Sequence, residues 1–351
     1  MAKPQEEELT EKVDGFVTYL KQKNRLHSSY DVAKRTVLLM REICSKTKWA
    51  SADELMYRMR VAGKKLVEAQ PSENAVGNMV RRVLKITREE HASCIGESED
   101  LDIKDSLHTL LHGEVDQSNF SKPVLNLKGS VIETMNELLD ELEGGASNIA
   151  SQALDHIHSS EVIMTAGYSK TVEAFLKAAA RKRKFEVIVA ESAPSYQGQE
   201  LATKLAQDGI QTTVITDSAV FAIMSRVNKV IIGTHTVMAD GGLKALNGAH
   251  QLALAAKHHS IPVLVCAALF KFSPEYLCSY DQDTFNKIVA PHDVLSFTDG
   301  EFVSKVHVQN PVFDFVPPDL ITLFISNIGG SAPSYIYRLI SDLYHADDKD
   351  L

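Results

Sequence analysis

The apolar residues of this chain change their period once, near residue 161, and that change constrains the fold more than any motif does. Before it, hydrophobic side chains recur every three or four positions. Leu9, Val13, Phe16, Val17 and Leu20 make one stripe along residues 8–23. Ser28 and Ser29 precede a second helix carrying Val32, Val37, Leu38, Leu39 and Ile43. Ser51, Asp53 and Glu54 open a third through Leu55, Met56, Met59 and Val61. Ser72, Glu73 and Asn74 follow Pro71 and open a fourth, with Val76, Met79, Val80, Val83, Leu84 and Ile86 on its inner face. No alternating pattern competes over residues 1–95, so a small helical domain is expected there.

After residue 161, short β-branched runs alternate with helical stretches. The runs are VIMTA (162–166), FEVIVAES (185–192), QTTVIT (211–216), KVIIGT (229–234) and PVLVCA (262–267). Helices are expected near 170–180, 198–208, 219–226 and 245–258. Continuous apolar strands separated by helices of about 10–15 residues mean βαβ units and a parallel sheet. The expected class is α/β, an N-terminal helical domain followed by a Rossmann-like parallel-sheet domain over 161–351, with ligand sites at the carboxyl ends of the strands. Between the two, residues 96–122 are acidic and rich in turn formers, which predicts a surface linker. Residues 123–160 predict amphipathic connecting helices, with a break at Gly144-Gly145.

Composition narrows the function classes. A chain of 351 residues favours two domains. A net charge of −9 argues against binding the nucleic-acid backbone as the main task. Cys44, Cys94, Cys266 and Cys278 lie far apart with no C-x-x-C pair, which fits a reducing compartment and excludes a disulfide framework and a cysteine-type zinc site. The opening MAKPQEEELTEK lacks the apolar run of a signal peptide, and no segment approaches the ~20 apolar residues of a membrane span. A cytosolic protein with neither a nucleic-acid nor a membrane partner is expected.

The candidate chemistry is sparse. The first strand runs into Ala166-Gly167-Tyr168-Ser169-Lys170-Thr171. Neither G-x-G-x-x-G nor a Walker A loop occurs, so no NAD, nucleoside triphosphate or other cofactor is implied. Gly167 lets a backbone approach a phosphate, with Ser169 and Thr171 at the next helix N-terminus; the same residues also make a plain capped turn. His258 and His259 point to different helix faces with no carboxylate at i+3 or i+4, and fit a helix C-terminus rather than a metal site. Residues 181–184 (RKRK) also sit where a helix ends, and complement its dipole. Cys266 ends an apolar strand as a small buried residue. Asp217 and Asp240 follow strand ends and are carboxylates to test for binding, although the sequence names no acid–base partner for either. From the residues alone this is a two-domain protein with an unassigned cleft.

A sharper signal lies in the order of several segments. They are Gln197-Gly198-Gln199-Glu200-Leu201-Ala202, Thr216-Asp217-Ser218-Ala219, Val230-Ile231-Ile232-Gly233, then Gly241 and Gly248, closed by residues 310–322 (NPVFDFVPPDLIT). Together they resemble the superfamily that joins methylthioribose-1-phosphate isomerase to the alpha, beta and delta regulatory subunits of the guanine-nucleotide exchange factor for eukaryotic initiation factor 2. The departures then divide enzyme from regulator. The resemblance places the isomerases' catalytic Cys at Gly167 and their catalytic Asp at His235. It places their substrate-holding Asn-Lys pair at Ala245-Leu246 and their Arg at Ala193, while Gln197 and Gly198 remain. Moving a proton between carbons needs one group to take it and another to return it, and glycine does neither. Residues 70–86 and 327–339 are like those of the beta-type subunits, and the long basic N-terminal extension of delta subunits is absent.

The resemblance therefore implies a scaffold without turnover, paired directly with a delta subunit. Further implied partners are the alpha, gamma and epsilon subunits and initiation factor 2, especially its alpha subunit, whose phosphorylation the complex senses. No catalytic residue is expected. Gly167, Gln197, Gly198, Gly233 and Asp240 remain as a degenerate cleft, so a sugar-phosphate or nucleotide sensor without catalysis stays open beside an isomerase-like protein. Arg81, Arg82 and Lys85 are either a cationic patch for a partner or a solvated helix face. Residues 313–344, rich in Phe, Tyr, Ile and Leu, are either a subunit interface or the closure of the sheet's own core.

Overall fold

The computed structural model describes residues 3–22, 28–95, 120–121, 124, 126–276, 285–300 and 305–349. It divides into two compact units, residues 1–142 with 341–351, and residues 143–340. The first unit holds helices α1 (Lys3–Leu20), α2 (Ser29–Lys46), α3 (Ala52–Ala69) and α4 (Asn74–Ile95). Ser51 caps α3 by accepting from the N–H of Glu54 at 3.3 Å, while the Glu54 carboxylate accepts from the N–H of Ala50 at 3.0 Å, a reciprocal cap. Ser28 stands at the N-cap of α2 without a side-chain capping bond. Of the acidic stretch 96–122, all but Phe120 and Ser121 lies outside the described residues. The Phe120 ring rests 5.1 Å from that of His91, and its carbonyl accepts from Asp53 N–H.

Helix α5 (Leu127–Ser151) runs straight through Gly144-Gly145, where a break was expected. A glycine costs a helix only about 1 kcal/mol, and the apolar stripe Val131, Met135, Leu138, Leu142 and Ile149 is buried along α5. The helix stops instead at Gln152, before the short α6 (Ala153–His156). The part of α5 up to Leu142 groups with the helical unit and the part from Glu143 with the second unit, so the helix runs from one into the other. Lys128 donates to the Ser45 carbonyl (2.6 Å), Arg41 to Asn136 (2.6 Å) and Arg82 to Glu141 (2.9 Å), which ties it to α2 and α4.

The second unit is built on a seven-stranded sheet. Strands β1 (Val162–Ala166), β2 (Glu186–Ala190), β3 (Gln211–Ile215), β4 (Lys229–Gly233) and β7 (Val263–Cys266) coincide with the five apolar runs. They alternate with α7 (Lys170–Ala180), α8 (Gln197–Gln207), α9 (Val220–Met224) and α10 (Ala249–His258). Strands β9 (Leu323–Ser326) and β10 (Gly329–Ser331) extend the sheet, giving the order β10-β9-β7-β4-β1-β2-β3, antiparallel only at β10. The centre, Val187, Val189, Val230, Ile231, Val263 and Val265, is buried under helices on both faces.

A three-stranded antiparallel sheet, β5 (Thr236–Val237), β6 (Leu243–Leu246) and β8 (Phe313–Val316), accompanies it. Its middle strand corrects the expected helix from residue 245. Residues 243–246 pair with β8, and the helix begins only after Gly248. Asp314 on β8 accepts from the N–H groups of Gly248 (2.7 Å) and His250 (3.4 Å), so a distant strand caps α10 and sets where it starts. Most of the apolar stretch 313–344 closes the chain's own core, with Phe313, Val316, Phe324, Ile325, Ile336, Leu339 and Ile340 buried. Ile328 and Tyr337 stay exposed. Among the described residues no helix is long and apolar enough to cross a membrane. Replacing Asp314 with Ala is expected to lower unfolding free energy by about 1 kcal/mol at unchanged m-value in a urea titration; an unmoved midpoint would mean that the cap contributes nothing.

Candidate functional site

In the strand order of the large sheet, connections run outward from β1 in one direction and from β4 in the other. The crevice of such a sheet opens where these two strands part, beyond their carboxyl ends. Gly167 follows β1 with φ +64, and Gly233 is the last residue of β4. Gly198 lies in the first turn of α8, whose first residue is Gln197. The structure thus brings four of the five expected cleft residues to the ends of the neighbouring strands β4, β1 and β2. Asp240 sits instead in the turn between β5 and β6, where its carboxylate accepts from the N–H of Gly242 at 2.8 Å.

Each glycine there answers to packing. A Cβ on Gly233 would stand 2.7 Å from the Cβ of Ser169, which caps α7 by accepting from Val172 N–H. A Cβ on Gly198 would overlap the carbonyl oxygen of Ala190 and lie 2.9 Å from the Cα of Glu191. Asp217 braces the loop between them, accepting from the N–H groups of Ser192 (2.9 Å) and Ala193 (2.7 Å). Of the two carboxylates singled out in the sequence, Asp240 therefore holds its own turn and Asp217 the loop that follows β2.

The space above Gly167 is filled. A Cβ there would meet Leu246 Cδ1 at 3.0 Å and Ser192 Oγ at 3.3 Å. Leu246 packs against the buried cluster Phe285, Val312 and Phe313, and Ala245 is fully buried. His235 stacks on Phe313 with ring centres 4.6 Å apart, and its backbone N–H donates to the Lys244 carbonyl. Lys244 is only 1% exposed, with its ammonium 4.9 Å from the Phe313 ring centre and 5.5 Å from that of Phe285. Lys271 donates to the Thr234 carbonyl at 2.7 Å.

Binding a sugar phosphate requires charged or N–H donors aimed at its oxygens. At the positions that the resemblance matches to the isomerases' Asn-Lys pair, this chain presents hydrocarbon. Proton transfer would need an acid and a base; Gly167, matched to the catalytic Cys, carries no titrating group, and His235, matched to the catalytic Asp, has its ring stacked on Phe313. Cys266, at the end of β7, is completely buried, and burial pushes its thiol up to about 12, so it stays a thiol and not a nucleophile. Among the described residues no group of three or more His, Cys, Asp and Glu side chains could hold a metal ion. His258 and His259 pack their rings 5.1 and 5.3 Å from that of exposed Phe221. Arg183 donates to the carbonyl of Ile157 and contacts the His158 ring.

In the helical unit, Arg81, Arg82 and Lys85 do not form a solvated patch. Arg81 is 4% exposed and donates to the carbonyls of Asp348 (3.1 Å) and Lys349 (3.0 Å). Arg82 pairs with Glu141, and Lys85 donates to the Asp342 carbonyl at 2.6 Å. Two further arginines, missed in the sequence, converge on the same terminal segment. Arg60 and Arg88 reach the Asp348 carboxylate at 2.8 and 3.0 Å. The seven-residue spacing of Arg81 and Arg88, which puts them on one helix face, was the legible part of that arrangement; nothing near them in sequence points to Asp348.

A family model described as the initiation factor 2 subunit family matches residues 25–333. The chain belongs to this family. Among its relatives is the translation initiation factor eIF2B subunit beta of Dictyostelium discoideum, 45% identical over 373 residues and covering 95% of each chain. Among solved structures, a chain of the tetrameric eIF2B beta2-delta2 complex of Chaetomium thermophilum superposes with a TM-score of 0.72 at 30% identity, covering 96% of this chain and 95% of that one. A ribose 1,5-bisphosphate isomerase of Archaeoglobus fulgidus is 32% identical over 217 residues, covering 61% of this chain and 67% of the enzyme. The chain is thus similar to initiation-factor subunits over its length and to a sugar-phosphate isomerase over part of it. Gly198→Ala is expected to cost about 3 kcal/mol or more, read as a lowered urea midpoint, because the added methyl meets backbone that has little room to move; a midpoint within error of the parent would refute the close approach.

Proposed function

We propose that this chain is a non-catalytic regulatory and scaffolding subunit, of beta type, of the exchange factor that promotes GDP/GTP exchange on translation initiation factor 2. The observation that carries the reading is the end-to-end likeness to a beta subunit, 95% of both chains at 45% identity. Its direct partner is a delta-type subunit, supported by the relative solved as a beta2-delta2 tetramer. Alpha, gamma and epsilon subunits complete the assembly, which works in the cytosol. The complex senses phosphorylation of the alpha subunit of initiation factor 2. Such sensing requires that the two forms of that subunit bind differently to two states of the complex, since a ligand shifts an equilibrium only by its differential affinity.

The crevice supports the non-catalytic half of the reading. Leu246 fills the space over Gly167, where the resemblance puts the isomerases' catalytic Cys, while the apolar framework of Val187, Ile188, Val189, Ile231, Ile232, Leu264 and Val265 keeps the sheet intact for assembly. The test is native mass spectrometry of the chain alone and co-expressed with a delta subunit, together with an isomerase assay on ribose 1,5-bisphosphate and methylthioribose 1-phosphate. A beta–delta assembly and no turnover are expected. A well-behaved monomer or homodimer that ignores delta, or turnover above background, would overturn the proposal.

A further inference from the structure

Three guanidinium groups from α3 and α4 converge on one short peptide, His345–Lys349. Arg88 grips the Asp348 carboxylate through two nitrogens, Nη2 to Oδ1 at 3.0 Å and Nε to Oδ2 at 3.3 Å, and Arg60 Nη2 reaches Oδ1 at 2.8 Å. Arg81 donates through Nε and Nη2 to the carbonyls of Asp348 and Lys349. Arg88 also lies 3.8 Å from the Asp347 carboxylate. Within residues 345–349 only Asp348 is buried, and its carboxylate is fully enclosed. Charge and hydrogen bonds, not apolar burial, hold this segment to the two helices.

That is the chemistry by which a protein reads an acidic peptide from another chain: a forked arginine on a carboxylate, with further donors on the following carbonyls. For stability alone it is a poor choice, because the desolvation of buried charges offsets most of their attraction. We propose that Arg60, Arg81 and Arg88 form a receptor for a short acidic peptide, which residues 345–349 fill in cis. When this segment leaves, an acidic segment of a partner protein takes the same place. The receptor favours an Asp whose own carbonyl and that of the next residue face Arg81, with a second acid just before it. It does not depend on the exchange-factor reading.

The test uses a labelled peptide of residues 344–349 (YHADDK), the full chain, and the chain shortened to residue 344. The shortened chain is expected to bind the peptide and the full chain about tenfold or more weakly, because the tethered segment competes at high effective concentration. Arg88→Gln in the shortened chain, or Asn in place of the peptide residue matching Asp348, is expected to weaken binding about tenfold. A shortened chain that keeps its circular-dichroism spectrum yet ignores the peptide overturns the proposal. So does binding indifferent to Arg88→Gln, or equal binding by the full chain.

Hydrogen exchange on the unmodified full chain gives a reading that does not rely on the shortened chain folding. High salt should speed exchange of the 346–349 amides about tenfold while the interior of α4 around Val80–Leu84 is unchanged, since screening weakens a segment held by charge. Unchanged exchange in the segment, or equal acceleration in α4, would overturn the proposal.

Discussion

At Gly198 the first turn of α8 presses so closely on β2 that a methyl group has nowhere to go between them. Much of the crevice geometry follows from that approach. It holds the loop 192–194 tight against the strand end, where Asp217 pins two of its amides. The loop in turn delivers Ser192 to Gly167, and Leu246 arrives from the small sheet to complete the lid over β1. A crevice that in this topology commonly receives a ligand is here closed by side chains of the chain itself.

The large sheet was legible because its information is local. Each apolar run of β1 to β4 and β7 carries enough β-branched residues, between helix-length spacers, to be assigned alone. Strands β6, β8 and β9 are four residues long and exist through partners far away, Leu243 beside Val316 and Val265 beside Phe324, while the three-residue β10 turns back on β9. No local period encodes such pairings, and for residues 245–248 the helical pattern pointed the wrong way. The cleft glycines could be named from the sequence but not what they touch. Arg81 looked like surface charge because its acceptors lie 267 and 268 residues further on.

The two units spend their polar groups differently. Around Gly167 the arrangement is hydrocarbon with satisfied backbone, which favours a rigid, well-packed fold over a reactive one; working sites commonly give up stability to hold strained or unpaired groups. In the helical unit, buried charge stands beside an apolar core. The ion pairs from α3 and α4 to Asp348, and from Arg82 to Glu141, join these helices to segments far away in sequence. Sequence relatives that differ at these few positions would be expected to keep the sheet and alter the helices' packing.

One feature of the chain's path bears on its synthesis. Asp348 meets Arg88 across 260 residues, and the whole of residues 143–340 is made between them. On a ribosome, which delivers roughly 5–20 residues per second, the helices made first must wait through the construction of an entire second unit before their buried arginines meet a counter-charge. During that interval the early helices are incomplete and the later sheet is free to close on its own contacts. The first-made unit is therefore the last to receive all of its contacts.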